Sequence, residues 1–159
     1  MFAIVKDGAI TQTSYSIKEL FPTTSFPGTI PDDFLTENNV MRVEQGVRKN
    51  NTYYFTTVGD VTLVDGVPTQ QYTSNARDLA TLKTSMTEEI KSTANGRLSK
   101  TDWMIIRKYE RDVAIPSATA TYRAAVHTEC IRLEEAIAGA GDVDALSTVM
   151  GAQNWPEES

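Results

Sequence analysis

The chain has 159 residues, of which 40% are hydrophobic and 23% charged, and its net charge at pH 7 is -6. This composition is typical of a folded globular protein. The acidity is spread evenly, because residues 1–73 carry five basic and eight acidic groups and residues 74–159 carry ten and thirteen. Neither part offers the basic surface that phosphate binding requires, so we do not expect nucleic acid as a primary partner.

The sequence predicts no membrane segment and no secretory signal. No stretch approaches the roughly 18 consecutive apolar residues of a membrane span, and the N-terminus lacks a basic region followed by a long apolar core. Cys130 is the only cysteine, which excludes an internal disulfide and fits a reducing compartment. We therefore expect the protein in the cytoplasm of the cell that makes it.

The first 73 residues predict a small antiparallel sheet built from hairpins. Asp7-Gly8 and Asp65-Gly66 each lie between apolar runs, and Asp-Gly in that position is a strong hairpin signal. Runs rich in β-branched and aromatic residues predict further strands at 40–43 and 53–58, and the polar residues 46–51 predict the turn between them.

Four aromatic residues are candidates for binding a partner. Alternation along a strand places at least one of Tyr53, Tyr54 and Phe55 on each face of the sheet. They either belong to a sheet buried on both sides or form an exposed patch for another protein. Trp155 lies in a polar tail, where it either folds back onto the protein or acts as a docking residue.

From about residue 74 the composition favours helices. Leu79, Leu82, Met86 and Ile90 follow one another at steps of three or four and predict an amphipathic helix that ends at Asn95-Gly96. The sequence thus predicts an α+β protein, with a β-rich module over residues 1–73 and a helical module over residues 74–159.

The segment 101–126 predicts a helical hairpin. Thr101 suits an N-cap, and Pro116 suits the start of the second helix at residues 117–138. Trp103 and Arg107 are four residues apart, so the guanidinium can lie on the indole ring. We expect five residues of this hairpin to anchor it against the neighbouring helices: Trp103, Ile106, Arg107, Glu110 and Tyr122.

The sequence offers no constellation that predicts an enzyme. His127 and Cys130 could share a helix face, but a thiolate–imidazole pair also needs an orienting group and oxyanion donors in a cleft. Two such side chains are too few for a closed zinc site, and there is no glycine-rich phosphate loop. We expect no catalytic residues, no metal and no cofactor.

The hairpin also carries a family resemblance. A nine-residue pattern begins at Leu98 and continues with Thr101-Asp102-Trp103, Arg107, Glu110, Pro116 and Tyr122-Arg123. This pattern resembles the C-terminal segment of phage tail-fibre assembly proteins. Residues 1–8, 19–22 and 25–27 resemble the opening of the same family, whereas the middle of the chain is less distinctive. The resemblance therefore touches both ends of the chain.

This resemblance implies a chaperone that binds the distal part of a trimeric tail fibre and assists its folding and trimerisation. It places the protein in the host cytoplasm during assembly, with some members of such a family staying on the finished virion. A permanent structural subunit of the fibre or baseplate is the alternative. A small hydrolase using Cys130 and His127 is a third hypothesis, which substitution of Cys130 would test.

Overall fold

The chain folds into two compact units, Met1–Asn75 and Ala76–Ser159. The computed structural model describes residues 1–26 and 28–158, so Pro27 of the family-like segment 25–27 lies outside the described residues. The first unit contains antiparallel strands and the second contains helices, which confirms the predicted α+β class. The predicted boundary after residue 73 falls close to the division after Asn75.

One sheet of the first unit is formed by the N-terminal hairpin and one later strand. Its strands are β1 (Phe2–Lys6), β2 (Ala9–Ser14) and β3 (Val40–Arg42), with β1 in the centre and both neighbours antiparallel to it. Asp7 and Gly8 join β1 to β2 with φ values of 52° and 72°. These left-handed conformations explain why an Asp-Gly pair suits this turn.

A second sheet is built on a long hairpin. It contains β4 (Glu44–Gln45), β5 (Tyr54–Val64) and β6 (Val67–Ala76), in the order β4-β6-β5. Asp65 and Gly66 make the tight turn between β5 and β6, as predicted. The short strand β4 pairs parallel to β6. A side chain at Gly46 would meet the carbonyl oxygen of Gln70 at 2.5 Å, so the close approach of these two strands requires glycine.

The predicted hairpin between residues 40–43 and 53–58 is wrong. Strand β3 pairs with β1 in the first sheet, whereas residues 54–58 open β5 in the second. Local sequence indicates that a segment is extended, but it does not specify which neighbour completes its hydrogen bonds.

Two short helices, α1 (Ile17–Leu20) and α2 (Asp32–Glu37), pack beside the first sheet. Phe34 of α2 makes edge-to-face contacts with Phe21 and Phe26, whose ring centroids lie 5.2 Å and 4.9 Å away. Ala3 and Val40 are buried in the core of the first unit, and the half-buried aromatic cluster belongs to the same unit.

The second unit is built around two long helices. Its helices are α3 (Leu79–Ser99), α4 (Asp102–Arg111), α5 (Ser117–Gly139) and α6 (Val143–Gly151). α3 packs along α5, and each contributes a row of buried apolar side chains at helical spacing. Among the described residues, no helix has the length and apolar content needed to cross a membrane.

The predicted end of α3 at Asn95-Gly96 is wrong, because the helix continues to Ser99. A glycine inside a helix costs about 1 kcal/mol relative to alanine. Leu98, two residues after Gly96, is buried, and burial of a leucine contributes roughly 1.5–3 kcal/mol. The packing of Leu98 therefore outweighs the local signal to stop.

Candidate functional site

Four of the nine motif residues, Leu98, Thr101, Asp102 and Arg123, meet at the corner where α3 ends and α4 begins. Arg123 of α5 reaches this corner with a single nitrogen, Nη1. That atom donates to the carbonyl oxygen of Leu98 at 2.9 Å and to Thr101 Oγ1 at 2.7 Å, and it lies 2.9 Å from Asp102 Oδ1. The corner is thus fixed to α5 by charge-assisted hydrogen bonds, which are stronger than neutral ones.

Thr101 lies at the N-cap position of α4, but its side chain does not cap the helix. Its hydroxyl donates to the carbonyl oxygen of Leu98 at 3.0 Å and accepts from Arg123. The residue is buried, so this hydroxyl has both of its hydrogen-bonding roles filled inside the corner. The predicted capping function is therefore replaced by a tertiary one.

Helix α4 starts from this fixed corner yet buries none of its own residues. Trp103 is 52% exposed and Ile106 is 57% exposed. The prediction that these two side chains anchor α4 against α3 and α5 is therefore wrong. This arrangement is unusual, because the apolar stripe of a surface helix normally faces the core.

The predicted contact between Trp103 and Arg107 is confirmed. The guanidinium carbon lies 4.8 Å from the centroid of the indole ring, within the range of a cation–π interaction. The Nε atom of Arg107 is shielded from solvent and has no hydrogen-bond partner among the described residues. The contact places an apolar ring and a cationic group side by side on the surface of α4.

The other two predicted anchors have different environments. Tyr122 is buried in the α3–α5 core, where it anchors α5 as expected. Glu110 is exposed on α4 and does not anchor the helix. Within the motif, Leu98, Thr101, Tyr122 and Arg123 are packed or hydrogen-bonded inside the second unit, whereas Trp103 and Glu110 are exposed.

Three exposed residues of this surface were not identified from the sequence: Ile105, Tyr109 and Val113. Tyr109 is 92% exposed. The sequence does indicate that some apolar side chains here are exposed. Residues 103–106 are four consecutive apolar residues, and one stripe of a helix cannot bury four in a row. We call the exposed side chains of Trp103, Ile105, Ile106, Tyr109 and Val113 the α4 surface.

The aromatic residues of the first unit do not form the exposed patch that we considered. Tyr53 and Tyr54 are buried, and the hydroxyl of Tyr54 accepts a hydrogen bond from Lys49 Nζ at 3.1 Å. Phe55 is exposed. Of these three candidates, Phe55 alone is positioned to contact another protein.

Trp155 folds back onto the second unit. Its ring lies under the guanidinium of Arg97, 5.5 Å from the guanidinium carbon, and its Nε1 donates to Gln153 Oε1 at 2.8 Å. Arg97 also donates to the carbonyl oxygen of Pro156 at 3.0 Å. The tail is therefore part of the folded unit, as the first of the two alternatives for Trp155 predicted.

The environment of Cys130 opposes nucleophilic chemistry. Its thiol is buried and lies 3.3 Å from Glu134 Oε1, whereas His127 is exposed. Burial, followed by the hydrogen bond to Glu134, raises the pKa of the thiol above its ordinary value. A reactive cysteine requires the opposite shift.

The described residues also contain no group of three or more His, Cys, Asp or Glu side chains placed to hold a metal ion. The feature that distinguishes this molecule is therefore the α4 surface and the corner that fixes it. Comparisons with protein-family models, with curated proteins and with solved structures find no match for this chain.

Proposed function

We propose that this protein is a tail-fibre assembly chaperone, which binds a phage tail fibre through the α4 surface and assists its folding and trimerisation. The observation that carries the proposal is the contrast within one short motif. Arg123 fixes the start of α4, while Trp103 and Ile106 on the same helix stay in solvent. Exposed clusters of large apolar side chains are typical of protein interfaces.

The chemistry of the α4 surface favours a protein partner. Trp103 and Tyr109 are aromatic, and Arg107 is stacked on Trp103. Tryptophan, tyrosine and arginine are the residue types that contribute most of the binding energy at protein interfaces. Because the cation–π contact already pairs two of them, it reduces the side-chain entropy that is lost on binding. The family resemblance of the same motif supports a tail fibre as that partner.

The proposal is tested by co-purification with the tail-fibre protein encoded nearest to it in its own genome. Ile106→Ser removes a branched side chain from the α4 surface and should reduce the affinity for the fibre roughly thirtyfold, as loss of a central interface residue does. The matched control is Ile131→Ser, since Ile131 is also 57% exposed but lies on α5. That variant should retain the fibre like the wild type.

Equal loss of fibre in both variants would show that the α4 surface is not the binding site. Failure of the wild type to retain any fibre would contradict the chaperone proposal altogether. The competing function, a permanent subunit of the fibre or baseplate, predicts a fixed stoichiometry in purified particles. Mass spectrometry of those particles separates it from a chaperone that leaves before the particle is complete.

A further inference from the structure

Two basic side chains border the α4 surface. Trp103, Arg107 and Arg111 follow one another at steps of four residues, so they lie along one side of α4. The guanidinium of Arg107 stacks on the indole ring of Trp103, and Arg111 is exposed one turn further along the helix. The apolar part of the α4 surface therefore continues directly into two cationic groups.

The charges around this surface do not cancel. Two ion pairs already neutralise four charged side chains at α4: Lys108 with Asp112, and Asp102 with Arg123. Neither pair includes Arg107 or Arg111, and Glu110 is the remaining acidic residue of the helix. Two basic groups and one acidic group leave a net charge of +1. The α4 surface is thus locally positive on a chain whose net charge is -6.

The stacked guanidinium of Arg107 is suited to a carboxylate. A guanidinium that lies on an aromatic ring still offers N–H groups at the edge of its plane, and arginine binds carboxylates through two parallel hydrogen bonds. The Nε atom of Arg107 has no acceptor among the described residues. An apolar segment that covers Trp103 would also exclude water from the neighbouring charges, and their attraction to a carboxylate would then be stronger.

We propose that the α4 surface binds an apolar segment of the tail fibre that carries an aspartate or glutamate, whose carboxylate pairs with Arg107 and Arg111. This inference rests on the proposed function, because it assigns the chemistry of the partner at the same site. Contacts with Trp103 and Ile106 supply most of the affinity, and the carboxylate sets the orientation of the segment. A second copy of this chain would bring a second positive surface, so charge favours the acidic segment.

The test uses the full-length protein co-expressed with the fibre. Arg111→Glu places a like charge beside the carboxylate of the fibre and should reduce the retained fibre about tenfold. Glu110→Gln removes the acid next to the two arginines and should retain at least as much fibre as the wild type. Both residues are exposed, so neither change removes a buried contact. Lys6→Glu is the matched control and should bind like the wild type, since Lys6 is exposed at the end of β1.

The salt dependence of binding gives a second readout. Raising the salt concentration from about 0.1 M to about 1 M shortens the screening length between charges from about 10 Å to about 3 Å. Fibre retention by the wild type should fall over this range. The fall should be smaller for Arg111→Gln, because this variant has lost one of the two charges that attract the carboxylate.

The outcomes separate this inference from the proposed function. Normal retention by Arg111→Glu, together with loss by Ile106→Ser, would overturn the inference and leave the proposed function intact. Tighter binding by Arg111→Glu would overturn it in favour of a basic segment. A concentration-dependent dimer that Arg111→Glu abolishes, with fibre retention unchanged, would overturn it in favour of a second copy of the chain. Loss of fibre binding in the wild type would contradict both proposals.

Discussion

Arg123 Nη1 donates a hydrogen bond to Thr101 Oγ1 at 2.7 Å, and this contact joins the long helix α5 to the corner at which α4 begins. The two residues are 22 positions apart in the sequence, and both belong to the motif that runs from Leu98 to Arg123. Their contact shows which residues of the motif have a structural role. One part of it sets the position of α4, and the other part lies on the exposed surface of that helix.

Removal of Arg123 should destabilise the protein. Arg123→Ala leaves the buried hydroxyl of Thr101 without a donor and should lower the free energy of unfolding by about 1.5–3 kcal/mol, as loss of a hydrogen bond to a charged group does. Arg111→Ala is the control, because Arg111 is exposed at the end of α4. Chemical denaturation of the second unit measures both, and equal midpoints for the two variants would contradict a structural role for Arg123.

Trp103 should contribute little to stability. Its side chain is half exposed, so Trp103→Ala should change the free energy of unfolding by less than about 1 kcal/mol. In contrast, Ile90 is fully buried in α3, and Ile90→Ala should cost about 2–5 kcal/mol. Denaturation midpoints separate these outcomes. A large loss in Trp103→Ala would show that α4 packs more closely in solution than in this structure.

Glu129 should make the attachment of the C-terminal tail dependent on pH. Its buried carboxylate accepts hydrogen bonds from Arg132 Nε and Nη2 and from the backbone N–H of Asn154, each at 2.7 Å. The Arg132 bond is the main cause that lowers the pKa of Glu129 below its ordinary value, although burial opposes it. Because the folded pKa is lowered, this stabilisation is complete above the unfolded pKa of about 4.3 and is lost as the pH falls through the folded value.

The measurement compares the wild type with Glu129→Gln at pH 7 and at pH 3. At pH 7 the variant should be less stable by about 1–2 kcal/mol, since it loses charge-assisted hydrogen bonds. Near pH 3 the difference should shrink. Glu134 also has a lowered pKa, mainly because of Lys91, so only the difference between the two proteins reports on Glu129. A difference that is constant with pH would contradict this role.

The second unit should fold without the first. α3 and α5 bury Leu82, Ile90, Val126 and Leu133 within this unit, and the division of the chain falls at Asn75. Residues 76–159 expressed alone should therefore be soluble and strongly helical by circular dichroism, with a cooperative thermal transition. An unfolded fragment would show that the helices need the N-terminal sheets for a complete core.

The sequence by itself determined the features that depend on short-range physics. Asp7-Gly8 and Asp65-Gly66 predicted both hairpin turns because few residues adopt positive φ without strain. The spacing of Leu82, Met86 and Ile90 predicted the buried face of α3, since helix periodicity places them on one side. The four-residue spacing of Trp103 and Arg107 likewise predicted their stacking.

The tertiary structure alone determined which strands pair, where α3 ends and which helix surfaces are exposed. β3 pairs with β1 rather than β5 because an extended segment carries no local record of its partner. α3 passes through Gly96 because Leu98 finds a buried site beyond it. Trp103 and Ile106 have the spacing of a core stripe, and the sequence alone therefore placed them inside. Both are exposed in the structure, since spacing along a helix does not specify which of its sides another element will cover.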